Sequence, residues 1–301
     1  MKATMLKDNL QLWGLCLPGL LKVLLFSYIP YIWLLIAFEF YIPRKGLIYS
    51  DWVWFDNFGY LLKSSIATRL LTNAIVINVL GIFFSTITSI IMGLMLFEVS
   101  KKIFLKISQT VMILPYFVSW PLVGILVSAF LSERTGMITG IVEAVSGVRP
   151  DIYAEPDLWW GILTFVRVWK GTGLSAVTYY AVLMGTDKEI YEAASIDGAS
   201  RFQCMRHVSL PSLTLMIVLN IIMSSANILR VDFGLVYYVT GNYATLYPKT
   251  DVIETYMFRA LRTEGDYSIS MATGLLQATV GLVLTIITNK ICKKLSGESL
   301  F

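Results

Sequence analysis

Long stretches of this sequence carry no charged residue at all. Leu71 to Phe97 is charge-free between Arg69 and Glu98, and Ile107 to Ser132 between Lys106 and Glu133. Val208 to Leu229 lies between His207 and Arg230, and Tyr267 to Asn289 between Asp266 and Lys290. Each meets the roughly 20 apolar residues that a bilayer crossing requires. A fifth run, Val23 to Phe38, extends back through Leu10 to Leu21 with Lys22 embedded. A sixth, Leu158 to Met184, is interrupted by Arg167 and Lys170 but is otherwise apolar and aromatic. The pattern predicts an all-α, polytopic membrane protein. Its six transmembrane helices fall near 11–38, 71–97, 107–132, 158–184, 208–229 and 267–289, in a single domain over 1–301. Composition agrees. Apolar residues make up 56% and charged residues 15%, against about 25% charged in soluble domains. Mean hydropathy is +0.69. An ordinary soluble enzyme and a disordered chain are both excluded.

Lys2 and Lys7 before the first run would suit a signal peptide. The run is long, however, and Phe38-Glu39-Phe40-Tyr41 stands where small residues would mark cleavage, so a retained span is expected. Cations are nearly balanced between the two sides of the membrane. Density favours both termini in the cytoplasm: Lys101, Lys102 and Lys106 crowd one short loop, and Lys290, Lys293 and Lys294 the tail.

The chemistry that is missing narrows the function. Cys16, Cys204 and Cys292 are far apart and His207 is the one histidine, so free thiols and no metal site are expected. The net charge of +4 contains no long basic run, so no nucleic-acid partner is expected. There is no Gly-Lys pair, hence no phosphate-binding loop, and no G-x-S-x-G elbow. No catalytic residue and no cofactor are expected in this chain.

The loop 185–211, between the fourth and fifth spans, is patterned like folded structure. Thr186 with Glu189 and Ser200 with Gln203 read as two capping boxes. Ile190, Ala193, Ala194 and Asp197 share a helical face, and Gly198 suits a left-handed terminus. Two short helices with a glycine elbow are predicted, and Pro211 is tolerated near the start of the fifth span. Small side chains at Ala193 and Ala194 would admit a partner's backbone. A helix resting on the membrane surface fits the same residues.

The run Glu192-Ala193-Ala194, three residues, Gly198, nine residues, Val208-x-Leu210-Pro211 resembles the EAA motif of binding-protein-dependent ABC importer permeases, with Val208 where Ile is usual. Further segments are similar to the LplB-type subfamily, which serves oligosaccharide and polysaccharide-fragment uptake. They are Leu17-Pro18-Gly19-Leu20, Tyr28-Ile29-Pro30, Ile36-Ala37-Phe38, Ile113 to Trp120, Ile253-Glu254-Thr255-Tyr256 and the tail Gly297 to Phe301. Phe301 stands where Trp is usual. The resemblance implies the ABC type I importer permease fold, in the bacterial plasma membrane. It implies a second, non-identical permease, two ATPase subunits that carry ATP and Mg, and an extracytoplasmic solute-binding lipoprotein delivering an oligosaccharide. It makes 185–211 the coupling loop seated on an ATPase. Glu192 would make polar contacts there, Ala193 and Ala194 would permit close approach, and Gly198 would form the elbow. Asp197, Val208, Leu210 and Pro211 complete the segment. The loops Glu39 to Leu70 and Glu133 to Asp157 would receive the solute-binding protein.

Candidate substrate contacts follow from residue chemistry. Tyr116, Ser119 and Trp120 lie between Pro115 and Pro121, which should distort the third span; a kinked packing helix is the alternative. Ser224, Ser225 and Asn227, then Arg230, lie at the end of the fifth span, where small polar residues also serve helix packing. Arg167, Trp169 and Lys170 place cations inside the fourth. They would engage an acidic sugar, or else snorkel or pair internally, as Lys22 is expected to do. Rival readings are an ion-coupled secondary transporter, a membrane enzyme, and a permease for a non-sugar solute.

Overall fold

Apolar runs become helices because a backbone in hydrocarbon must satisfy its own hydrogen bonds. The computed structural model describes residues 2–296, with side chains described at 12–291 and 293. The tail segment Gly297 to Phe301 and the Cys292 thiol lie outside the described residues. The chain divides into two compact units, residues up to Ser64 with Met257–Leu276, and Ser65–Tyr256 with the chain from Gln277 onward.

In the first unit, α1 (Lys2–Val23) continues through a π turn at Leu24–Tyr28 into a 3₁₀ stretch at Ile29–Phe38. Pro30 lacks the N–H for an α-helical bond, and the hydrogen-bond register changes around it. Leu12–Phe38 is apolar enough to span a bilayer, and nearly all of it up to Trp33 is exposed, as lipid contact demands. Lys22 is exposed on the last turn of α1. Among the described residues the only strands are β1 (Glu39–Phe40) and β2 (Asp51–Trp52), antiparallel with Glu39 opposite Trp52. The short helices α2 (Gly46–Tyr49) and α3 (Asp56–Lys63) follow. Asn57 on α3 donates to the carbonyls of Ala37 and Glu39, at 2.9 and 3.0 Å. The Tyr41 amide donates to Ser268 Oγ at 2.9 Å.

The second unit is built on α4 (Ser65–Phe97) packed along α8 (Trp159–Met184). Glycines set the approach. A Cβ at Gly93 would lie 2.9 Å from the Tyr179 Cβ, and one at Gly81 2.7 Å from the Arg167 guanidinium. Close packing at small residues substitutes for the hydrophobic drive that lipid removes. One end of α4 is anchored by polar groups. Arg69 pairs at 3.0 Å with Asp251, which is 0% exposed on its side chain. Asn73 donates to the Asp251 carbonyl at 3.0 Å.

The third apolar run is broken. Helix α5 (Lys102–Phe117) and α6 (Trp120–Leu131) meet at 95°. Pro115 and Pro121 flank the break, as the sequence suggested. Helix α7 (Met137–Ser146) ends at Gly147, with φ 74°. Helix α9 (Lys188–Ile196) and α10 (Arg201–Cys204) form the loop before α11 (Leu210–Ala226). Short helices α12 (Phe233–Val239), α13 (Tyr247–Thr250) and α14 (Ile253–Arg259) precede α15 (Tyr267–Ser296). A core of Ala74, Ile77, Val123, Trp159, Leu163 and Leu235 joins α4, α6, α8 and α12.

Among the described helices, four are long and apolar enough to cross a membrane, and the bent pair makes a fifth. Helix α8 falls outside that apolar set, since it carries Arg167 and Lys170 along its course. Its 26 residues nevertheless reach about 39 Å at 1.5 Å per residue.

Candidate functional site

Two sites emerge. The first is a cavity of about 320 Å³ lined by Asn78, Tyr116, Trp120, Arg167, Lys170, Gly171, Arg230, Asp232 and Leu235. It brings together five candidates from the third, fourth and fifth apolar runs. Its volume sits at the lower end of the roughly 300–1,000 Å³ of small-molecule sites.

Each cation has a different occupation. Lys170 Nζ donates to the carbonyls of Pro115 (3.3 Å), Tyr116 (2.8 Å) and Val118, the end of α5 where the helix breaks. A helix C-terminus exposes unpaired carbonyls and partial negative charge, so an ammonium there is stabilising. The same Nζ lies 5.0 Å from the Trp120 ring centroid and 5.8 Å from that of Tyr116. Arg167 lies flat over Gly81 and donates to Asn78 Oδ1 at 2.6 Å. The Arg230 side chain is exposed and makes no hydrogen bond or ion pair within 4 Å among the described residues, although the Glu254 carboxylate is near enough to feel its charge. The single carboxylate, Asp232, accepts from Trp120 Nε1 at 2.9 Å and caps α12 through the Gly234 and Leu235 amides. The cavity therefore holds three cations against one carboxylate, between two aromatic walls.

The other candidates stand apart from this cavity. Ser119 is the exposed N-cap of α6, and Trp169 is 40% exposed away from the lining residues. Ser225 donates back to the Ile221 carbonyl, and Asn227 to that of Met223. Ser224 lines a second, smaller cavity of about 140 Å³ with Ser85, Ser89, Thr178, Tyr179 and Asn220. Arg167 borders both cavities. The sequence reading missed Asn78 and these hydroxyls. The available signal was the polar series Asn78, Ser85 and Ser89 within the long charge-free stretch of α4.

The second site is the loop 185–211. Helix α9 starts at Lys188 with Asp187 as N-cap, but neither cap side chain bonds, so the Thr186–Glu189 capping box does not form. The Thr186 amide is still engaged by the Leu183 carbonyl of the preceding turn, which removes it from the cap position. The Ser200–Gln203 box does form. Gly198 has φ 78°, with the Ala199 amide bonded to the Ala194 carbonyl and the Gly198 amide to that of Ser195. These two bonds are the Schellman arrangement that ends a helix at glycine. Glu192, Ala193 and Asp197 are exposed and Ala194 half-buried. Ile190, Ile196 and Phe202 are apolar and exposed, at 50%, 86% and 65%. Val208, with Ala194, Asp197 and Gly198, lines a shallow cleft at the elbow. Leu210 and Pro211 open α11. Tyr191, absent from the sequence candidates, ties the loop to the helices. Its ring lies 5.5 Å from that of Phe97, and its hydroxyl 3.0 Å from Ser209 Oγ.

Bilayer-length helices around a charged cavity, with a structured, apolar-faced loop between two of them, define a membrane transport permease. The chain belongs to the family described as the binding-protein-dependent transport system inner membrane component, which matches residues 85–297. It is 34% identical to protein LplB of Bacillus subtilis, over 98% of this chain and 92% of that one. It is 30% identical to the polygalacturonan/rhamnogalacturonan transport system permease protein YteP of Bacillus subtilis, over 96% and 90%. A crystal structure of a bacterial alginate ABC transporter, in complex with an alginate pentasaccharide-bound periplasmic protein, superposes with a TM-score of 0.87. That chain is 29% identical, with 99% of both chains covered. The protein is thus a multi-pass membrane permease of a binding-protein-dependent ABC importer, with the all-α type I fold that the sequence resemblance implied.

Proposed function

We propose that this subunit carries acidic oligosaccharides across the plasma membrane in an ATP-driven cycle. The observation that carries the substrate class is the cavity with Arg167, Lys170 and Arg230 against Asp232 alone, walled by Tyr116 and Trp120. Aromatic faces suit the C–H faces of sugar rings, and excess positive charge suits carboxylates. Two similar proteins are named for alginate and for polygalacturonan, both acidic.

The loop 185–211 meets a separate ATPase chain, which holds ATP and Mg. Glu192 supplies polar contact, Ala193 and Ala194 the close approach, and Ile190, Ile196 and Phe202 an apolar surface to bury. The anchor through Tyr191 to Phe97 and Ser209 carries ATPase movement into the transmembrane helices as a rigid-body shift. Two ATPase subunits and a second, non-identical permease complete the assembly, with both termini of this chain cytoplasmic. A solute-binding protein delivers sugar to the opposite face, at Glu39 to Leu70 and Glu133 to Asp157. No chemistry on the sugar is assigned to this chain.

The test is reconstitution of the complete transporter in proteoliposomes. Uptake of a uronate oligosaccharide that needs internal ATP, the ATPase chains and the binding protein supports the reading. Uptake driven by an ion gradient without ATP overturns it.

A further inference from the structure

The chain unwinds after α11, and the unwound segment is held by side chains from three other helices. Asn78 on α4 donates through Nδ2 to the carbonyls of Ile228 (2.7 Å) and Arg230 (3.2 Å). Gln277 on α15 donates to the Leu229 carbonyl at 2.9 Å. Glu254 on α14 accepts from the Val231 amide at 3.1 Å and from Gln277 Nε2 at 2.8 Å. The Arg230 amide bonds the Asn227 carbonyl. The carbonyls of Ile228, Leu229 and Arg230 and the amide of Val231 thus all meet side chains from other helices. Broken backbone at membrane depth survives only where such partners exist. Three separate helices supply these partners, so the segment is held in place from several sides.

Its effect is to fix one side chain. Leu229 and Val231 are buried, at 8% and 2% exposure, while Arg230 between them is exposed and lines the cationic cavity. Both of its neighbours are buried, so Arg230 is the side chain that this stretch leaves exposed at the cavity. The other two cations are occupied. Lys170 is committed to the α5 carbonyls, and Arg167 to Asn78 Oδ1, which orients that amide so its Nδ2 faces the clamp.

We infer that Arg230 is the residue that selects acidic over neutral oligosaccharides, and that Asn78, Glu254 and Gln277 are positioning residues that present it. Lys170 and Arg167 shape the site and add positive potential, while Arg230 makes the direct carboxylate contact. This rests on the acidic-substrate reading and names the group responsible.

The experiment is ATP-driven uptake by the full transporter of an oligogalacturonate and its methyl ester, in which each carboxylate loses its charge and gains one methyl group. Wild type prefers the acid; equal uptake of both by wild type removes the acidic-substrate reading and this inference with it. With that preference established, Arg230→Gln raises half-saturation for the acid about tenfold or more, as loss of a charged hydrogen bond predicts. It affects the ester less than the acid, so the acid-to-ester ratio falls. Arg230→Lys, which keeps the charge, recovers part of the preference. Gln277→Leu alters no residue lining the cavity, so it lowers the acid-to-ester ratio only through the Arg230 backbone. An unchanged ratio in Arg230→Gln overturns the assignment while leaving the acidic-substrate reading intact. Equal loss of both substrates in Gln277→Leu reduces the clamp to a structural role.

Discussion

At the scale of single residues, similar side chains do different work according to what they touch. Arg167, Lys170 and Arg230 look equivalent in the sequence. In the fold one orients an amide, one closes a helix end, and one is left facing the cavity. Lys170→Met should therefore reduce uptake of acidic and neutral sugars alike. It strands the Pro115, Tyr116 and Val118 carbonyls, at a cost of about 1–3 kcal/mol, visible as a lower melting temperature in detergent. Arg69→Met removes the ion-pair partner of the buried Asp251 carboxylate, which keeps its hydrogen bond from Thr255. Arg69 is partly exposed, so the cost falls below the about 3–5 kcal/mol of a fully buried pair; the variant should melt lower than wild type, and Arg69→Met with Asp251→Asn should recover part of the loss. Glu39 is fully buried just past the first apolar helix, and among the described residues neither of its carboxyl oxygens has a hydrogen-bond partner. Burial raises its pKa above the ordinary carboxylate value. Folding then favours the protonated form. Stability falls as pH climbs from the unfolded pKa through the higher folded one, and stays low above it. Glu39→Gln should flatten that fall and melt higher than wild type at pH 8, with little difference at pH 4. Equal pH slopes for the two proteins would contradict it.

At the scale of elements, the sequence displayed the helices plainly and their ends less well. Charge-free runs located α4, α11 and α15 because lipid excludes charge over a fixed length. Pro115 and Pro121 marked the α5–α6 break, though not its 95° angle or the Lys170 ammonium that meets the freed carbonyls. The Gly198 turn and the Ser200–Gln203 box were legible because both are local chemistry. The Thr186–Glu189 box was not, because Thr186 remains bonded to the fourth span's last turn. Gly198→Pro places a residue restricted to φ near −65° where φ is 78°. It should break the α9–α10 elbow, leaving ATP hydrolysis measurable and uptake lost. Gly173 packs so closely on the Met112 carbonyl that any Cβ would overlap it. Gly173→Ala should force α5 from α8 and cost about 1–3 kcal/mol, read as a fall in melting temperature.

At the scale of the whole molecule, what the sequence hid was pairing between distant positions. Asn78 and Arg167 are 89 residues apart, and Asn78 and Arg230 152. No local pattern records either contact, yet together they build the cavity. A polar residue in an apolar helix announces a partner without naming it. The coupling loop was easier to read because its function resides in one contiguous segment. The same division explains why the transport class was legible early and the acid-selecting arginine only from the fold. The account's central claim is that ATP-driven transport through this cavity depends on the charge of the sugar. Its most direct measurement is the wild-type transporter's ATP-dependent uptake of a uronate oligosaccharide in competition with its carboxyl-reduced counterpart. The account predicts strong accumulation of the acid, barely inhibited by the neutral sugar. Equal competition, or accumulation of the acid without ATP, would contradict it.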